Sequence, residues 1–170
     1  RTKMRDRHSD VDYTYDANNR LAQVADNELN KQITYSYDAV GNRTQMIDPE
    51  GNVIDYTYDA AKRLDTVKRN AILQADYDYD AAGGRAKLTL GNGSYTEYSY
   101  DAAGRLTLLE NKKSDGTVIS SFAYQMDSVG NRTRMTHADG DYIDYTYDEL
   151  YRLTDETRTG QVSYSQQFTY

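Results

Sequence analysis

The sequence lacks the residues on which several classes of protein depend. It has no cysteine, no tryptophan and a single proline among 170 residues. Without cysteine there are no disulfides and no thiolate chemistry, although this does not fix the cellular compartment. Leu, Ile, Val and Phe together number only 27, which is below the fraction of about 20% where disorder becomes a serious interpretation. A thick aliphatic core is therefore not expected.

Charge and hydropathy exclude two more classes. There are 27 acidic and 20 basic residues, a net charge of −7, and no basic stripe that could neutralise phosphates, so nucleic acid is not an expected partner. No apolar run approaches the ~20 residues of a membrane span, and the first residues show no signal-peptide pattern. We therefore expect no membrane span.

The sequence is rich in tyrosine, with 18 residues that recur at regular intervals. A Tyr-x-Tyr-Asp phrase repeats along the chain. Its second aromatic position falls at residues 15, 37, 58, 79, 100, 126 (a methionine), 147 and 170. A fixed period is the signature of a repeat architecture. Because tyrosine joins an apolar ring to a hydroxyl that tolerates water, this repeat suits a thin sheet with two different faces.

Each repeat unit predicts two strands and two turns. Tyr-x-Tyr has the period of two expected of a strand, and the four positions after the Asp are rich in Gly and Asn, which favour tight turns with positive φ. A second strand follows, with an apolar column eight residues after the Asp: Val24, Met46, Val67, Leu88, Leu109 and Met135. Asn-Gly and Asp-Gly turns separate the units. The fold class predicted is all-β, a curved antiparallel sheet strip of tandem β-hairpin repeats.

The chain divides into a short lead-in and one array. Residues 1–10 are polar and without period, and we interpret them as a flexible lead-in or the end of a preceding repeat. Residues 11–170 contain no linker and predict a single array of about seven repeats plus the start of an eighth. The interval between successive Tyr-x-Tyr-Asp phrases is usually 21 residues, but one interval is 26 residues long. Its five extra residues, around 111–121, are expected in an outer hairpin loop.

Two sets of repeated side chains are candidate functional residues. A carboxylate before a tight turn can accept hydrogen bonds from backbone N–H groups two or three residues on, and a catalytic site is usually unique, so a structural role is favoured for the repeated Asp. This Asp occurs at Asp16, Asp38, Asp59, Asp80, Asp101, Asp127 and Asp148. For the tyrosines, cross-strand stabilisation of the sheet is favoured over binding of sugar rings or partner peptides. These are Tyr13, Tyr15, Tyr35, Tyr37, Tyr56, Tyr58, Tyr77, Tyr79, Tyr98, Tyr100, Tyr145 and Tyr147.

An arginine alternates between two adjacent positions in successive units. It lies four residues after the Asp at Arg20, Arg63, Arg105 and Arg152, and five residues after it at Arg43, Arg85 and Arg132. Because neighbouring strand positions face opposite sides, we expect the arginine to switch faces from unit to unit. Both faces would then be in contact with water.

No metal, cofactor or catalytic residue is predicted. Asp76 begins a run that resembles a calcium loop, but Ala81 replaces the required glycine and Lys87 the required glutamate. His8 and His137 are the only histidines, and we expect both at the surface because neither has a repeat partner or a cysteine to complete a metal site.

The phrases at Tyr98 to Leu106 (YSYDAAGRL) and Tyr35 to Thr44 (YSYDAVGNRT) resemble the YD repeat of the rearrangement-hotspot (RHS) family. The resemblance covers about residues 11–170. It implies a β-sheet strip that spirals into a hollow shell, which in bacterial members encloses a toxic C-terminal domain. No stretch of this chain resembles the family's conserved region with the aspartic self-cleavage site, so no catalytic residue is carried over.

The sequence thus predicts a non-enzymatic wall segment of an RHS shell in a larger exported protein, secreted or at the cell surface. The alternative is a cell-surface binding module that contacts glycans or a protein through exposed tyrosines. A hydrolase is disfavoured because no pair of carboxylates stands out from the repeat. The partners expected are neighbouring repeats of a longer chain, an encapsulated toxin domain, and weak self-association through open sheet edges.

Overall fold

A computed structural model describes residues 3–6 and 9–170, and all regular secondary structure in this part of the chain is β-strand. The strands are β1 (Lys3–Asp6), β2 (Ser9–Tyr15), β3 (Leu21–Asp26), β4 (Lys31–Tyr37), β5 (Arg43–Ile47), β6 (Val53–Tyr58), β7 (Leu64–Arg69), β8 (Ile72–Tyr79), β9 (Arg85–Leu90), β10 (Tyr95–Tyr100), β11 (Leu106–Lys112), β12 (Val118–Met126), β13 (Arg132–His137), β14 (Tyr142–Tyr147), β15 (Leu153–Thr159) and β16 (Tyr164–Gln167). His8 lies outside the described residues. The described part contains no helix that could cross a membrane.

The chain forms two compact units, with the boundary inside β8 between Asp76 and Tyr77. In the first unit β1 to β8 pair antiparallel in chain order. In the second unit β9 to β16 do the same. The all-β antiparallel class predicted from the repeat is confirmed. The division into a lead-in and a single array stays a prediction, with β1 formed by residues inside the proposed lead-in.

The strands follow from residues that favour a pleated, half-buried surface, namely Tyr, Thr and Val. In five hairpins the first tyrosine of the phrase lies opposite the apolar column of the next strand. The pairs are Tyr13 with Val24, Tyr35 with Met46, Tyr56 with Val67, Tyr98 with Leu109 and Tyr124 with Met135. Since directly opposed residues share a face, one face of each of these hairpins carries aromatic and aliphatic side chains together.

A β-bulge recurs before the second tyrosine. Ser36 pairs with Gln45, but the next residue, Tyr37, pairs with Arg43, so Thr44 has no partner on the facing strand. The same register shift occurs between β2 and β3, β10 and β11, β12 and β13, and β14 and β15. An extra residue on one strand changes which side its neighbours face.

The core is thin in both units. Among the residues whose side chains are described, only Ala75, Ile143 and Tyr145 are buried hydrophobic residues. Most other strand side chains are half-buried, so each keeps some contact with water. Stability therefore depends on many half-buried side chains and on hydrogen bonds rather than on one hydrophobic core that excludes water.

The prediction that the 26-residue step expands an outer loop is wrong. The turn after β11 is closed by Lys113 N donating to Thr117 O at 2.9 Å and Gly116 N donating to Lys113 O at 2.9 Å, the pattern of the shorter turns. The extra residues instead lengthen β11 and β12, which have 7 and 9 residues. They stay in the sheet because their side chains bond across strands: Asn111 accepts from Thr96 and donates to Ser120.

Among the described strands, β16 pairs with β15 alone, and all four of its residues are exposed. Unpaired strand edges invite pairing with other chains. We expect weak, concentration-dependent self-association in sedimentation velocity, reduced by Gln166→Lys, which places a charge on this edge. A strictly monomeric particle at high concentration would contradict this expectation.

Candidate functional site

The repeated Asp closes each turn through its own carboxylate. In the first repeat, Asp16 Oδ1 accepts hydrogen bonds from the backbone N–H groups of Asn18 and Arg20, both at 2.9 Å. The backbone bonds of the same turn run from Asp16 N to Arg20 O at 2.9 Å and from Asn19 N to Asp16 O at 3.0 Å. Because four hydrogen bonds meet at one residue, the turn is rigidly defined by that Asp.

The same geometry recurs at every repeat. The backbone N–H four residues on donates to Oδ1 at 2.7–2.9 Å in the turns of Asp38, Asp59, Asp80, Asp101, Asp127 and Asp148. The structure thus places all seven predicted Asp residues in equivalent turns, one per repeat. Within either unit, the described residues include no three of these carboxylates grouped so as to hold a metal ion.

The side chain of the fourth residue after the Asp donates a further hydrogen bond to the second carboxylate oxygen, Oδ2. We call the Asp carboxylate with its backbone and side-chain donors the carboxylate lock. Where the fourth residue is arginine, the guanidinium Nε donates to Oδ2 at 2.7–2.8 Å, as in Arg20 to Asp16 and Arg105 to Asp101. Where it is asparagine, the amide nitrogen donates instead, at 3.0 Å from Asn42 to Asp38 and 2.9 Å from Asn131 to Asp127. The two classes of repeat are therefore two chemical versions of one lock.

The third residue of each turn takes a left-handed conformation, which explains the glycines there. Gly41, Gly83, Gly104 and Gly130 have φ between 76° and 102°. Asn19, Lys62 and Tyr151 occupy the same place with φ of 61°, 64° and 60°. Since non-glycine residues rarely adopt such values, the carboxylate bonds of these turns must hold them in place.

One further lock was missed by the sequence analysis. Asp48 Oδ1 accepts from Asn52 N at 2.8 Å, and Asp48 Oδ2 accepts from the Asn52 amide at 2.8 Å. Gly51, at the third place, has a φ of 81°. The signal was present, because Asp48-x-x-Gly51-Asn52 repeats the spacing of the asparagine class, but it lies between units and lacks the preceding Tyr-x-Tyr.

These bonds lower the pKa of most of the repeat carboxyls. For Asp101 the pKa lies below its usual value because the Arg105 backbone N–H and then the Arg105 guanidinium stabilise the anion. The pKa of Asp59 is lowered in the same way, first by the backbone N–H of Arg63. The carboxylates are thus held ionised, as hydrogen-bond acceptors rather than proton donors.

The tyrosines are tied to the sheet at both ring and hydroxyl. Four second tyrosines donate their hydroxyl to a backbone oxygen of an earlier strand at 2.8–3.1 Å: Tyr37 to Leu21, Tyr58 to Arg43, Tyr100 to Arg85 and Tyr147 to Arg132. Each bond joins a residue to one that lies 15 or 16 positions earlier. Tyrosine hydroxyls therefore connect strands that belong to consecutive repeats.

The prediction that arginine switches faces from unit to unit is wrong. The guanidinium carbon of Arg20 lies 4.7 Å from the ring centroid of Tyr37. The guanidinium carbon of Arg43, from the other class, lies 5.8 Å from the ring of Tyr35 and 4.6 Å from that of Tyr56. Tyr35 and Tyr37 are two residues apart on β4 and share its face. Both arginine classes therefore contact the tyrosine face.

The β-bulge is the physical reason. In a regular strand, the residue five after the Asp would face away from the residue eight after it, but the extra residue in between restores the same side. Arg43 thereby joins the face of Met46. Arg20 precedes its strand altogether and reaches the tyrosine face from the turn. The positions of the arginines therefore do not show that both faces of the sheet contact water. The small number of buried side chains is better evidence for that contact.

The arginines of the second class lie between tyrosines of consecutive repeats. Arg85 has ring centroids of Tyr77 and Tyr98 at 5.0 and 5.7 Å. Arg132 has those of Tyr124 and Tyr145 at 5.6 and 4.7 Å. Cation–π contact of this kind stabilises the ladder from repeat to repeat.

The structure also corrects the placement of His137. Its ring packs edge-on against Phe122, with centroids 5.4 Å apart, and its Nε2 is shielded from water with no hydrogen-bond partner among the described residues. It is a half-buried packing residue rather than a surface residue. Within the described residues, no three His, Asp or Glu side chains are grouped so as to hold a metal ion.

Hairpins that pair in chain order, each closed by a carboxylate lock, define an antiparallel β-repeat protein. The RHS repeat model matches residues 15–53, 37–71 and 79–118, together more than half of the chain. The chain belongs to the RHS repeat family. No curated protein matches it.

Solved structures share the fold. A crystal structure of TcdB2-TccC3-Cdc42 matches 92% of this chain with a TM-score of 0.79 and 20% identity. TcdB2-TccC3 without its hypervariable C-terminal region also matches 92%, with a TM-score of 0.78 and 21% identity. The Tc holotoxin pore of Photorhabdus luminescens matches 92% of this chain with a TM-score of 0.69 and 24% identity. This chain spans only 8–9% of those chains. At these identities the likeness establishes the fold alone.

Removal of a repeat carboxylate should destabilise the array. We expect Asp59→Ala and Asp101→Ala each to lower the melting temperature by about 2–4 °C, since each loses a cap-like set of local hydrogen bonds. Glu149→Ala is the matched control, because Glu149 is an exposed carboxylate in a repeat turn. Differential scanning calorimetry measures the shift, and equal effects of the control and the Asp variants would contradict the lock.

Stability should also depend on pH through the same groups. A carboxyl whose pKa is lowered on folding contributes stability above its unfolded pKa, here 3.8, and loses it as pH falls through the lower folded pKa. We expect a constant melting temperature down to about pH 5 and a steep fall below it. The Asp59→Asn, Asp101→Asn double variant should show a shallower fall, and an unchanged slope would contradict this assignment.

Proposed function

We propose that this chain is a non-enzymatic structural module, a wall segment of an RHS shell that encloses or displays a C-terminal toxin or effector domain of a larger exported protein. Membership of the RHS repeat family and the fold shared with Tc toxin structures support this proposal. Neighbouring repeats and the enclosed domain are its proposed partners.

The observation that carries the proposal is a sheet held together by its own repeats. Turns are locked by local carboxylates, and second tyrosines bond to strands of the preceding repeat. Within each unit almost no side chain is fully buried among the described residues. Such a sheet can have water or cargo on one side and solvent on the other, which suits a wall.

The repeat geometry supports a non-enzymatic role. The repeat carboxylates already accept backbone hydrogen bonds, and the lowered pKa of those such as Asp59 and Asp101 opposes their use as general acids at neutral pH. A binding module based on tyrosine stacking is less well supported. Ring faces such as those of Tyr56 and Tyr145 lie against arginines, and hydroxyls such as that of Tyr58 bond to backbone oxygens.

Protection of the cargo domain tests the proposal in the full-length protein that carries this segment. We expect the C-terminal domain to resist protease until the array melts, and Asp59→Ala with Asp101→Ala to lower the temperature at which cleavage begins. The isolated C-terminal domain serves as the unprotected control. Cleavage in the intact protein as fast as in the isolated domain would overturn the proposal, whereas a glycan-array signal lost in Tyr56→Ala would support the binding alternative.

A further inference from the structure

One repeat of the second unit has the carboxylate of the lock but lacks its side-chain partner. The fourth residue after Asp80 is Gly84, whereas every other repeat has arginine or asparagine there. Asp80 Oδ1 still accepts from Gly84 N at 2.7 Å. No side chain of the described residues donates to Asp80 Oδ2, the oxygen that binds a guanidinium or amide elsewhere.

The first repeat shows what a complete guanidinium site contains. The Arg20 guanidinium donates from Nε to Asp16 Oδ2 at 2.7 Å and from Nη1 to the backbone oxygen of Asp38 at 2.7 Å. It also lies over the ring of Tyr37, 4.7 Å from the centroid. A carboxylate, a carbonyl and an aromatic face thus hold one planar cation.

All three elements are present around Gly84. Asp80 supplies the carboxylate, Tyr100 corresponds to Tyr37 as the second tyrosine of the following repeat, and Asp101 corresponds to Asp38 as its Asp. Tyr98, Tyr100, Asp80 and Asp101 line one cavity of about 500 Å³ together with turn glycines. The Tyr100 ring is held in place by its hydroxyl, which donates to Arg85 O at 3.1 Å.

Gly84 is not required by the backbone. It has no positive φ, so the backbone conformation itself does not require glycine there. A Cβ at this position would lie 2.9 Å from Asp80 Oδ2 and 3.1 Å from Tyr100 Cε2. Both distances are shorter than a Cβ normally tolerates, so the Asp80 carboxylate and the Tyr100 ring lie close around this space and must shift to admit a side chain.

We propose that the cavity at Gly84 binds a guanidinium group supplied from outside the repeat, either an arginine side chain of a polypeptide or a free guanidinium compound. The group would donate to Asp80 Oδ2 and to the Asp101 carbonyl and stack on Tyr100. This inference does not depend on the wall function, because it rests on the geometry of the repeat turn and on contacts among residues 80–101.

The test is an NMR titration of the intact chain with N-acetyl-arginine methylamide, and with its citrulline counterpart as the neutral isostere. We expect shifts of the Gly84 and Asp101 amides with a dissociation constant of about 1–10 mM, as suits one partly exposed ion pair. Gly84→Asn, which fills the cavity with the partner of the asparagine class, and Asp80→Asn should each weaken binding about tenfold. The peptide Gly-Gly-Arg-Gly-Gly compares the two sources: tighter binding favours a polypeptide ligand, and equal binding a free guanidinium compound.

A converse variant uses the first repeat. Arg20→Gly recreates the same vacancy beside Asp16, Tyr37 and Asp38, so we expect it to gain a second site and to have its melting temperature partly restored by the arginine compound. Gly84→Asn measures the first site independently if Arg20→Gly is unfolded. The proposal is overturned if the citrulline compound binds as well as the arginine compound, if Gly84→Asn binds unchanged, or if no shifts occur near Gly84.

Discussion

The hydrogen bond from a backbone N–H to the carboxylate four residues earlier is the interaction on which the rest of this structure depends. A chain with so few aliphatic residues cannot fix its strands by burying them, and a hairpin alone is marginal in water. The Asp fixes the turn, the turn fixes the register of its two strands, and the register sets tyrosine opposite the apolar column. The acceptor is ionised and the donors are part of the turn itself, so the interaction is both strong and local.

Much of the fold could be predicted from the repeat, because its signals are local. Tyr-x-Tyr gave the period of a strand, Gly41 and Gly104 marked positive φ, and Asp16 and its equivalents marked the turns. The side of the sheet on which each arginine lies could not be predicted by counting residues along the strand. A bulge inserts one residue into one strand, and alternation by two then gives the wrong side for Arg43. A bulge is defined by the pairing of two strands, so the spacing of residues within one strand does not reveal it.

Other differences have the same origin in pairing between strands. The extra residues near Asn111 extend β11 and β12 because Thr96 and Ser120 bond to them across the sheet, which composition does not show. Asp48 shares the local geometry of the repeat Asp without its Tyr-x-Tyr prefix. The prefix therefore belongs to the sheet and the Asp-x-x-Gly-Asn phrase to the turn, and the two parts can occur separately.

Pairing only between strands adjacent in the chain has a consequence for how such proteins change length. Within each unit, every described strand pairs with a strand next to it in the sequence. Contacts therefore form between residues close in the chain, and loop closure costs little entropy. A hairpin inserted or deleted as a whole leaves the registers of the remaining pairs unaltered, since each register is set by its own turn. Gene duplication can therefore lengthen or shorten the array in steps of two strands without redesigning the rest.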